Sequence, residues 1–376
     1  MVTLGYSKDD RNKLCARGCN GRCHKQHHLG PAGKHATRHT LFAAALVLCA
    51  LAGSVRAQAG GERPVSQPSQ GGSAVEQLTA MLQAIEPYRP HGEIRQTVKV
   101  FGSTSMDGLA HGWIKGFEDF HPQAKVEVTA ADYDAATKQL ITNPSSIAMY
   151  ARPVTAQELA DMQKAGLKRP MAFEVAREAL TVFVNSANPV QSISGEQLGE
   201  VFTSSNPPSE LTWSAVGAGG QWASKPLHVI ARTEESGTQL FLSQFVFRQA
   251  TMRPATSAHP SNAEVLQAVS ADPLSIAICG YRSSGRAVKP LSLALGGSII
   301  ACDDLSVLSG RYPLMRPLTL VVDLGQSDDQ AKASQEFVRY ALSQAGQTQA
   351  ILVGFFPVDL PLLRAGLEHL SPQVSR

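Results

Sequence analysis

Aromatic residues make up only 6% of this 376-residue chain and charged residues 17%. No stripe of lysine and arginine interleaves with aromatics, which excludes the usual footprint of a nucleic-acid partner. The sequence has no Gly-x-Ser-x-Gly elbow, no Walker-type phosphate loop and no His-Glu-x-x-His pair, so three common catalytic designs lack their signatures. His111, His121, His228 and His259 are scattered without metal-ligand spacing. With no nucleophile–base pair to name, the residues argue against an enzyme and call for no cofactor and no metal. Cysteine is scarce as well. Four of the six fall in the first 59 residues, leaving Cys279 and Cys302 as a pair that could bridge in an oxidising compartment if the fold brought them together.

The charge is spread unevenly. Residues 1–59 hold 9 Lys+Arg against 2 Asp+Glu, a net of +7, and the rest holds 25 against 29, a net of −4. The positive part reads as a targeting segment. A basic flank with Lys34 and Arg38 precedes Leu41-Phe-Ala-Ala-Ala-Leu-Val-Leu-Cys-Ala-Leu-Ala52, an apolar run too short to span a bilayer comfortably, and Ala57-Gln-Ala59 is an A-x-A cleavage site. The mature chain then starts near Gly60 and is periplasmic or extracellular. Leu48 is bulky where a lipidated Cys49 would want a small neighbour, which speaks against a lipoprotein. Ahead of the apolar run, Cys15, Cys19 and Cys23 with His24, His27 and His28 could invite zinc, but cleavage removes them with the signal.

Residues 60–95 read as a linker, Gly/Ser/Gln/Pro-rich at first, with a short helical candidate over 74–85. Beyond it strands and helices alternate: strand 96–101, helix 106–120, strand 125–129, helix 134–141, strand 146–150 and helix 155–165. That order argues for an α/β fold with a parallel sheet covered by helices. Ala179-Leu-Thr-Val-Phe-Val-Asn185 is the most continuous β-branched and aromatic run in the middle of the chain.

The most informative stretch is Arg232-Thr-Glu-Glu-Ser-Gly-Thr238. A short apolar strand leads into it and an amphipathic run leads out. Alone, Ser236 is an ordinary helix cap beside an arginine. A Ser-Gly-Thr turn opening a helix also offers backbone N–H groups and two hydroxyls, and Arg232 adds a planar fork of donors suited to an oxyanion.

In order along the chain stand Gly102-Ser-Thr-Ser105, Ile147-Ala-Met-Tyr-Ala-Arg-Pro153, Val182-Phe-Val-Asn-Ser-Ala-Asn-Pro-Val190, Gln197-Leu-Gly-Glu-Val-Phe202, Arg232-x-x-x-Ser-Gly-Thr238, Asn262-x-Glu-Val-Leu-Gln-Ala-Val269, Asp272-Pro-Leu-Ser-Ile-Ala277 and Tyr312-Pro-Leu-Met-Arg-Pro-Leu318. Through these the chain resembles the phosphate ABC-transporter substrate-binding proteins, from residue 97 to about 360. The resemblance implies a two-lobed, type II periplasmic-binding-protein-like fold with a ligand cleft between lobes. Lobe 1 would be 96–183 plus 303–370 and lobe 2 would be 184–302. It also implies a monomer that captures phosphate or a related oxyanion for an ABC permease. Thr104 and Ser105 match the first-lobe anion turn; Arg232, Ser236, Gly237 and Thr238 match the second-lobe seat.

Two departures bear on the ligand. Where the family has a Gly/Ser-rich turn after the second strand, this chain reads Thr129-Ala-Ala-Asp-Tyr-Asp134. Where an acidic residue precedes the Ala-Met-x-Ala-Arg segment, Ser145-Ser146 stands instead. A buried carboxylate accepts from a protonated phosphate and repels sulfate, whereas Ser146 both donates and accepts and so discriminates less sharply. Asp132 would restore the acceptor if it turned inward, or start a helix if it faced solvent. Arg152 would reach the cleft or pair with a neighbouring carboxylate. The alternative function is a divergent binding or sensing module of the same fold, not coupled to transport and with a different ligand.

Overall fold

The computed structural model describes residues 73–204, 210–248, 250–283 and 285–371. The targeting segment with its cleavage site, the cysteines and histidines of residues 15–28 and the linker up to residue 72 lie outside the described residues.

Helix α1 (Ala74–Ala84) opens on a capping box in which Ser73 and Glu76 satisfy each other's backbone N–H. Leu78 and Leu82 turn inward, and Ile85, Tyr88 and Ile94 follow them into the first core. Residues 74–94, counted with the linker in the sequence, are therefore part of the folded body.

Strand β1 (Thr97–Gly102), helix α2 (Asp107–Phe120), β2 (Lys125–Ala130), α3 (Tyr133–Thr142), β3 (Ile147–Tyr150) and α4 (Ala156–Lys164) follow the expected alternation. Strand β4 (Pro170–Asn185) is nine residues longer at its start than the apolar run alone suggests. Beyond it come β5 (Ser192–Ser194), α5 (Gly195–Phe202), β6 (His228–Arg232), the short helix α6 (Gly237–Phe241), which continues as a wide π turn over Leu242–Val246, and β7 (Ser257–His259). Then follow α7 (Asn262–Ala271), β8 (Ser275–Gly280), β9 (Val288–Pro290), β10 (Ser292–Leu295), β11 (Ser298–Ile300) and α8 (Asp304–Leu308). Strand β12 (Met315–Asp323) leads to α9 (Asp329–Leu342), α10 (Gln344–Leu352) and α11 (Leu360–His369).

The strands of the larger sheet lie in the order β2-β1-β3-β12-β4-β8-β6-β7, with β9 also on β4; β11-β10-β5 form a small second sheet. Strands β1, β2 and β3 are mutually parallel, as are β6, β7 and β8. The sheet is nonetheless mixed, not all-parallel, because β12 and β4 run antiparallel to each other and to their outer neighbours. These two are the connecting strands, and β4 pairs with β12 through its first part and with β8 through its second.

Each end of that sheet has its own core. Val98, Trp113, Phe117, Leu320, Phe337 and Tyr340 belong to the first, and Leu180, Val182, Trp213, Val229 and Tyr312 to the second. A smaller cluster stands beside each, around Tyr133 and Tyr150 at the first end and around Ile230 and Cys279 at the second, so the body has two lobes. The changeovers fall between Ala176 and Ala179 on β4 and between Leu314 and Leu318 at β12. Ala179, Leu180, Val182, Val307, Tyr312 and Leu314, in segments that the sequence places in lobe 1, belong to the second core, and Leu308 packs against both. Trp213 and Trp222 meet edge to face in that lobe as packing residues. Cys279 and Cys302 are both free and buried, in different clusters, so they form no disulfide. No helix among the described residues is long and apolar enough to cross a membrane.

Candidate functional site

In open α/β sheets ligands bind off the carboxyl ends of the parallel strands, and here those ends converge from both lobes. From the first lobe, β1 ends at Gly102, where a Cβ would stand 2.0 Å from the Met149 carbonyl oxygen; only glycine lets β1 approach β3 so closely there. The chain then turns: Ser103 N–H donates to Met149, and the Ser103 hydroxyl accepts from Ser105 N–H at 3.3 Å. Thr104 and Ser105 follow in a single 3-10 turn ahead of α2.

From the second lobe, β6 delivers Arg232, buried with 4% of its surface exposed. Its Nη1 donates to Asn262 Oδ1 at 2.9 Å and its Nη2 to the Pro260 carbonyl at 2.6 Å, while Nε has no acceptor among the described residues. Burial and the like charge of Arg316 lower its pKa, against the pull of the Glu178 carboxylate. It nevertheless keeps its proton, as arginine does in proteins.

A cleft of about 440 Å³ lies between these elements. Thr104, Ser105 and Asp107 line it from the first lobe, Arg232, Asn262 and Arg282 from the second, and Glu178 from the connecting strand. Burial pushes the Asp107 carboxyl up, opposed by His111 and Arg232. The Ser105 hydroxyl, like Arg232 Nε, is a buried donor without a partner among the described residues. Unpaired buried donors cost about 1–3 kcal/mol each, so this wall is suited to receive an acceptor-rich ligand.

Ser236, Gly237 and Thr238 are brought to the same place but do not line the cleft. The Ser236 hydroxyl caps α6 by accepting from Gln239 N–H at 3.2 Å. The Gly237 carbonyl faces the Tyr133 hydroxyl at 3.5 Å, across the lobes. Thr238 Oγ1 accepts from Arg316 Nη2 at 3.0 Å. The Ser-Gly-Thr turn is thus buried at the contact between lobes, against Tyr133 and Arg316.

Two expected residues stand elsewhere. Ser146 precedes β3, at the end of the strand away from the cleft, four residues or about 13 Å before Tyr150. Its hydroxyl donates to the Asn143 carbonyl at 2.7 Å, a local bond that closes the turn into the strand. Asp132 faces solvent and caps α3, accepting from Ala135 N–H at 2.7 Å. Neither supplies the missing acceptor. Its neighbour Tyr133 turns inward in place of the Gly/Ser turn, its ring 4.5 Å beneath the Arg152 guanidinium. Arg152 takes the structural alternative, a two-armed pair with Glu158 at 2.6 and 3.1 Å.

A family model described as a PBP superfamily domain matches residues 87–345. The chain belongs to the PBP superfamily. The phosphate-binding protein PstS of Pseudomonas aeruginosa is 25% identical to it over 308 residues, covering 80% of this chain and 95% of the relative. Protein SphX of Synechococcus elongatus is 26% identical over 299 residues, covering 78% and 86%. Among solved structures, an ABC-type phosphate transport receptor from Vibrio cholerae superposes with a TM-score of 0.55 at 20% identity, over 70% of this chain and 100% of that one, and shares the fold.

In this superfamily member the cleft residues missed from sequence are Asp107, Glu178, Asn262 and Arg282, together with Arg316, which pairs with Glu178. Glu178 carried a readable signal, a single acid directly ahead of the apolar run at Ala179. Arg316 lay in plain view in Tyr312-Pro-Leu-Met-Arg-Pro-Leu318, but nothing in its sequence neighbours shows which way it points. The register of β4 on β12 decides that, by setting Arg316 opposite Glu178.

Proposed function

We propose that the protein captures phosphate, or a kindred tetrahedral oxyanion, in the cleft between its lobes and presents it to an ABC importer. The observation that carries this reading is Arg232, a buried guanidinium with an unpartnered Nε, facing a first-lobe turn whose Ser105 hydroxyl is also unpartnered. One ligand with several acceptor oxygens answers both, and a fixed positive charge favours an anion over a neutral molecule. The named relatives, a phosphate-binding protein and a phosphate transport receptor, support phosphate as the anion and import as the purpose. The work is binding and release, with no turnover.

Glu178 takes the part that Ser146 and Asp132 do not. Its carboxylate is 6% exposed and lines the cleft, where it accepts a hydrogen bond from an oxyanion that carries a proton and repels one that does not. The protein works exported, as a monomer, with a transmembrane permease and its ATPase as partners.

Calorimetric titration of residues 60–376 with phosphate, and with sulfate, tests the reading. It requires phosphate to bind at micromolar concentration or below, sulfate at least tenfold more weakly, and Arg232→Met to abolish both. A folded protein that ignores phosphate, or an Arg232→Met variant that binds it normally, would remove this function.

A further inference from the structure

The cleft is larger than the anion that its unpartnered donors call for. Its volume is about 440 Å³. The five heavy atoms of a phosphate, each counted as a water at about 30 Å³, need on the order of 150 Å³. The remaining space runs along α2. Ser105, with its unpartnered hydroxyl, stands just ahead of that helix, and Gly108 leaves the helix wall open, since a Cβ there would meet nothing within 4 Å. Further along, Val353 lines the cleft and packs on α2 at Gly112, where a Cβ would stand 3.1 Å from Val353 Cγ1. Gly112 is seven residues beyond Ser105, which is about 10 Å along the helix axis.

That far end is bounded from both lobes. Gly354, at φ +97°, lets the turn after α10 approach the second lobe, and a Cβ on it would stand 3.3 Å from Arg282 Cβ. The charge of Arg282 is met inside the protein: its Nη2 pairs with Asp304 at 2.9 Å, and its guanidinium lies 4.7 Å from the centre of the Phe356 ring. Val353 keeps 38% of its surface exposed although it is apolar, and Phe355 lines the cleft beside it. Apolar surface does nothing for a bare oxyanion, whereas it gains by covering carbon.

Asp107 points the same way. Its carboxylate lines the cleft and accepts no hydrogen bond from the described residues. Beside an anion it is repulsive, and Glu178 already answers the proton of a protonated phosphate. A second carboxylate does serve a ligand that carries hydroxyl groups, because each hydroxyl donates to it.

We propose that the cleft takes a phosphate monoester of a small polyol or sugar, with the phosphoryl group on Arg232 and Ser105, the carbon arm along α2 towards Val353, and a hydroxyl on Asp107. The inference rests on the oxyanion reading above and deepens it by naming what the oxyanion is attached to. Beyond the phosphoryl group the cleft keeps room for roughly ten water-sized atoms, a limit that the arms of glycerol phosphate and ribose phosphate both respect.

The test is calorimetry of residues 60–376 with inorganic phosphate, glycerol 3-phosphate and ribose 5-phosphate, on the wild type and two variants. In the wild type at least one ester should bind as tightly as phosphate or more tightly. Gly108→Leu sets a side chain in the path of the arm at an open helix position, and should lower the ratio of ester to phosphate affinity about tenfold or more. Asp107→Ala removes the acceptor for the hydroxyl and should lower the same ratio about tenfold. A merely structural role for either residue would weaken ester and phosphate alike and leave the ratio unmoved. Two esters that each bind tenfold or more weakly than phosphate would overturn the inference while leaving the oxyanion reading standing. So would an ester-to-phosphate ratio that neither variant changes. A folded wild type that binds neither phosphate nor ester would overturn both.

Discussion

Gly237 of the second lobe rests against Ser103 of the first: a Cβ on Gly237 would stand 2.5 Å from the Ser103 hydroxyl oxygen, 2.8 Å from Ala151 Cβ and 3.0 Å from the Tyr133 hydroxyl. Three first-lobe residues thus converge on one glycine, and the lobes meet at the turn that the sequence marks as an anion seat. Contacts this close are essentially never seen for real side chains, so any residue but glycine holds the lobes apart.

Gly237→Ala should therefore keep the stability of each lobe and lose ligand affinity, by about tenfold or more, since a gap there costs the closed form about 1–3 kcal/mol. Small-angle scattering with saturating phosphate checks it directly. The wild type contracts on binding and Gly237→Ala does not. Adding Ser103→Gly, which removes the nearest obstructing atom, should recover part of the contraction.

Asp132 and Ser146 give the opposite expectation. Asp132→Ala removes an N-cap and should cost about 1 kcal/mol of stability, read as a lower unfolding midpoint. Ser146→Asp buries a carboxylate at the far end of β3 and should also destabilise. Neither should change the ratio of phosphate to sulfate affinity. A shift in that ratio with either variant would bring those residues back to the ligand.

Asp132, which takes the helix-start alternative, and Ser146 show where the sequence stops informing. The strand–helix alternation and the placing of Thr104, Ser105 and Arg232 at strand ends follow from local pattern, and the structure has them. Local pattern says nothing about which end of a strand faces a cleft. Ser146 is close in sequence to Ala151-Arg152, but the four-residue strand between them carries it to the end away from the cleft. The first part of β4 was invisible for a related reason. Residues 170–178 include Glu174, Arg177 and Glu178, whose charges mask a strand until the partner β12 is known to lie alongside. Glu178, on the cleft wall, and its partner Arg316 are 138 residues apart and meet only through that register.

Asp323 offers a test of the fold independent of ligand. Where β12 ends, its carboxylate accepts from the backbone N–H of Lys168, Arg169 and Gly325 and from the Gln326 amide, at 2.6 to 3.0 Å. Burial pushes this carboxyl up, but those four bonds outweigh burial and hold its pKa below the ordinary aspartate value. A depressed folded pKa means that the stabilisation is complete above the unfolded value of about 3.9 and is lost as pH falls through the folded value. Asp323→Ala should cost about 3 kcal/mol at neutral pH. As pH falls below the unfolded value, the gap between wild type and variant should narrow in urea unfolding. A gap that stays constant through acid would mean the carboxylate's charge does not matter.

The central claim is that the cleft floor around Arg232 receives a tetrahedral oxyanion. Crystals of residues 60–376 grown with arsenate, whose arsenic can be located by anomalous scattering, test it most directly. The account predicts a single strong arsenic peak in the cleft, with arsenate oxygens within hydrogen-bonding reach, about 2.7–3.2 Å, of Arg232 Nε and the Ser105 hydroxyl. A peak elsewhere on the protein, or none in the cleft of a closed molecule at millimolar arsenate, would contradict it.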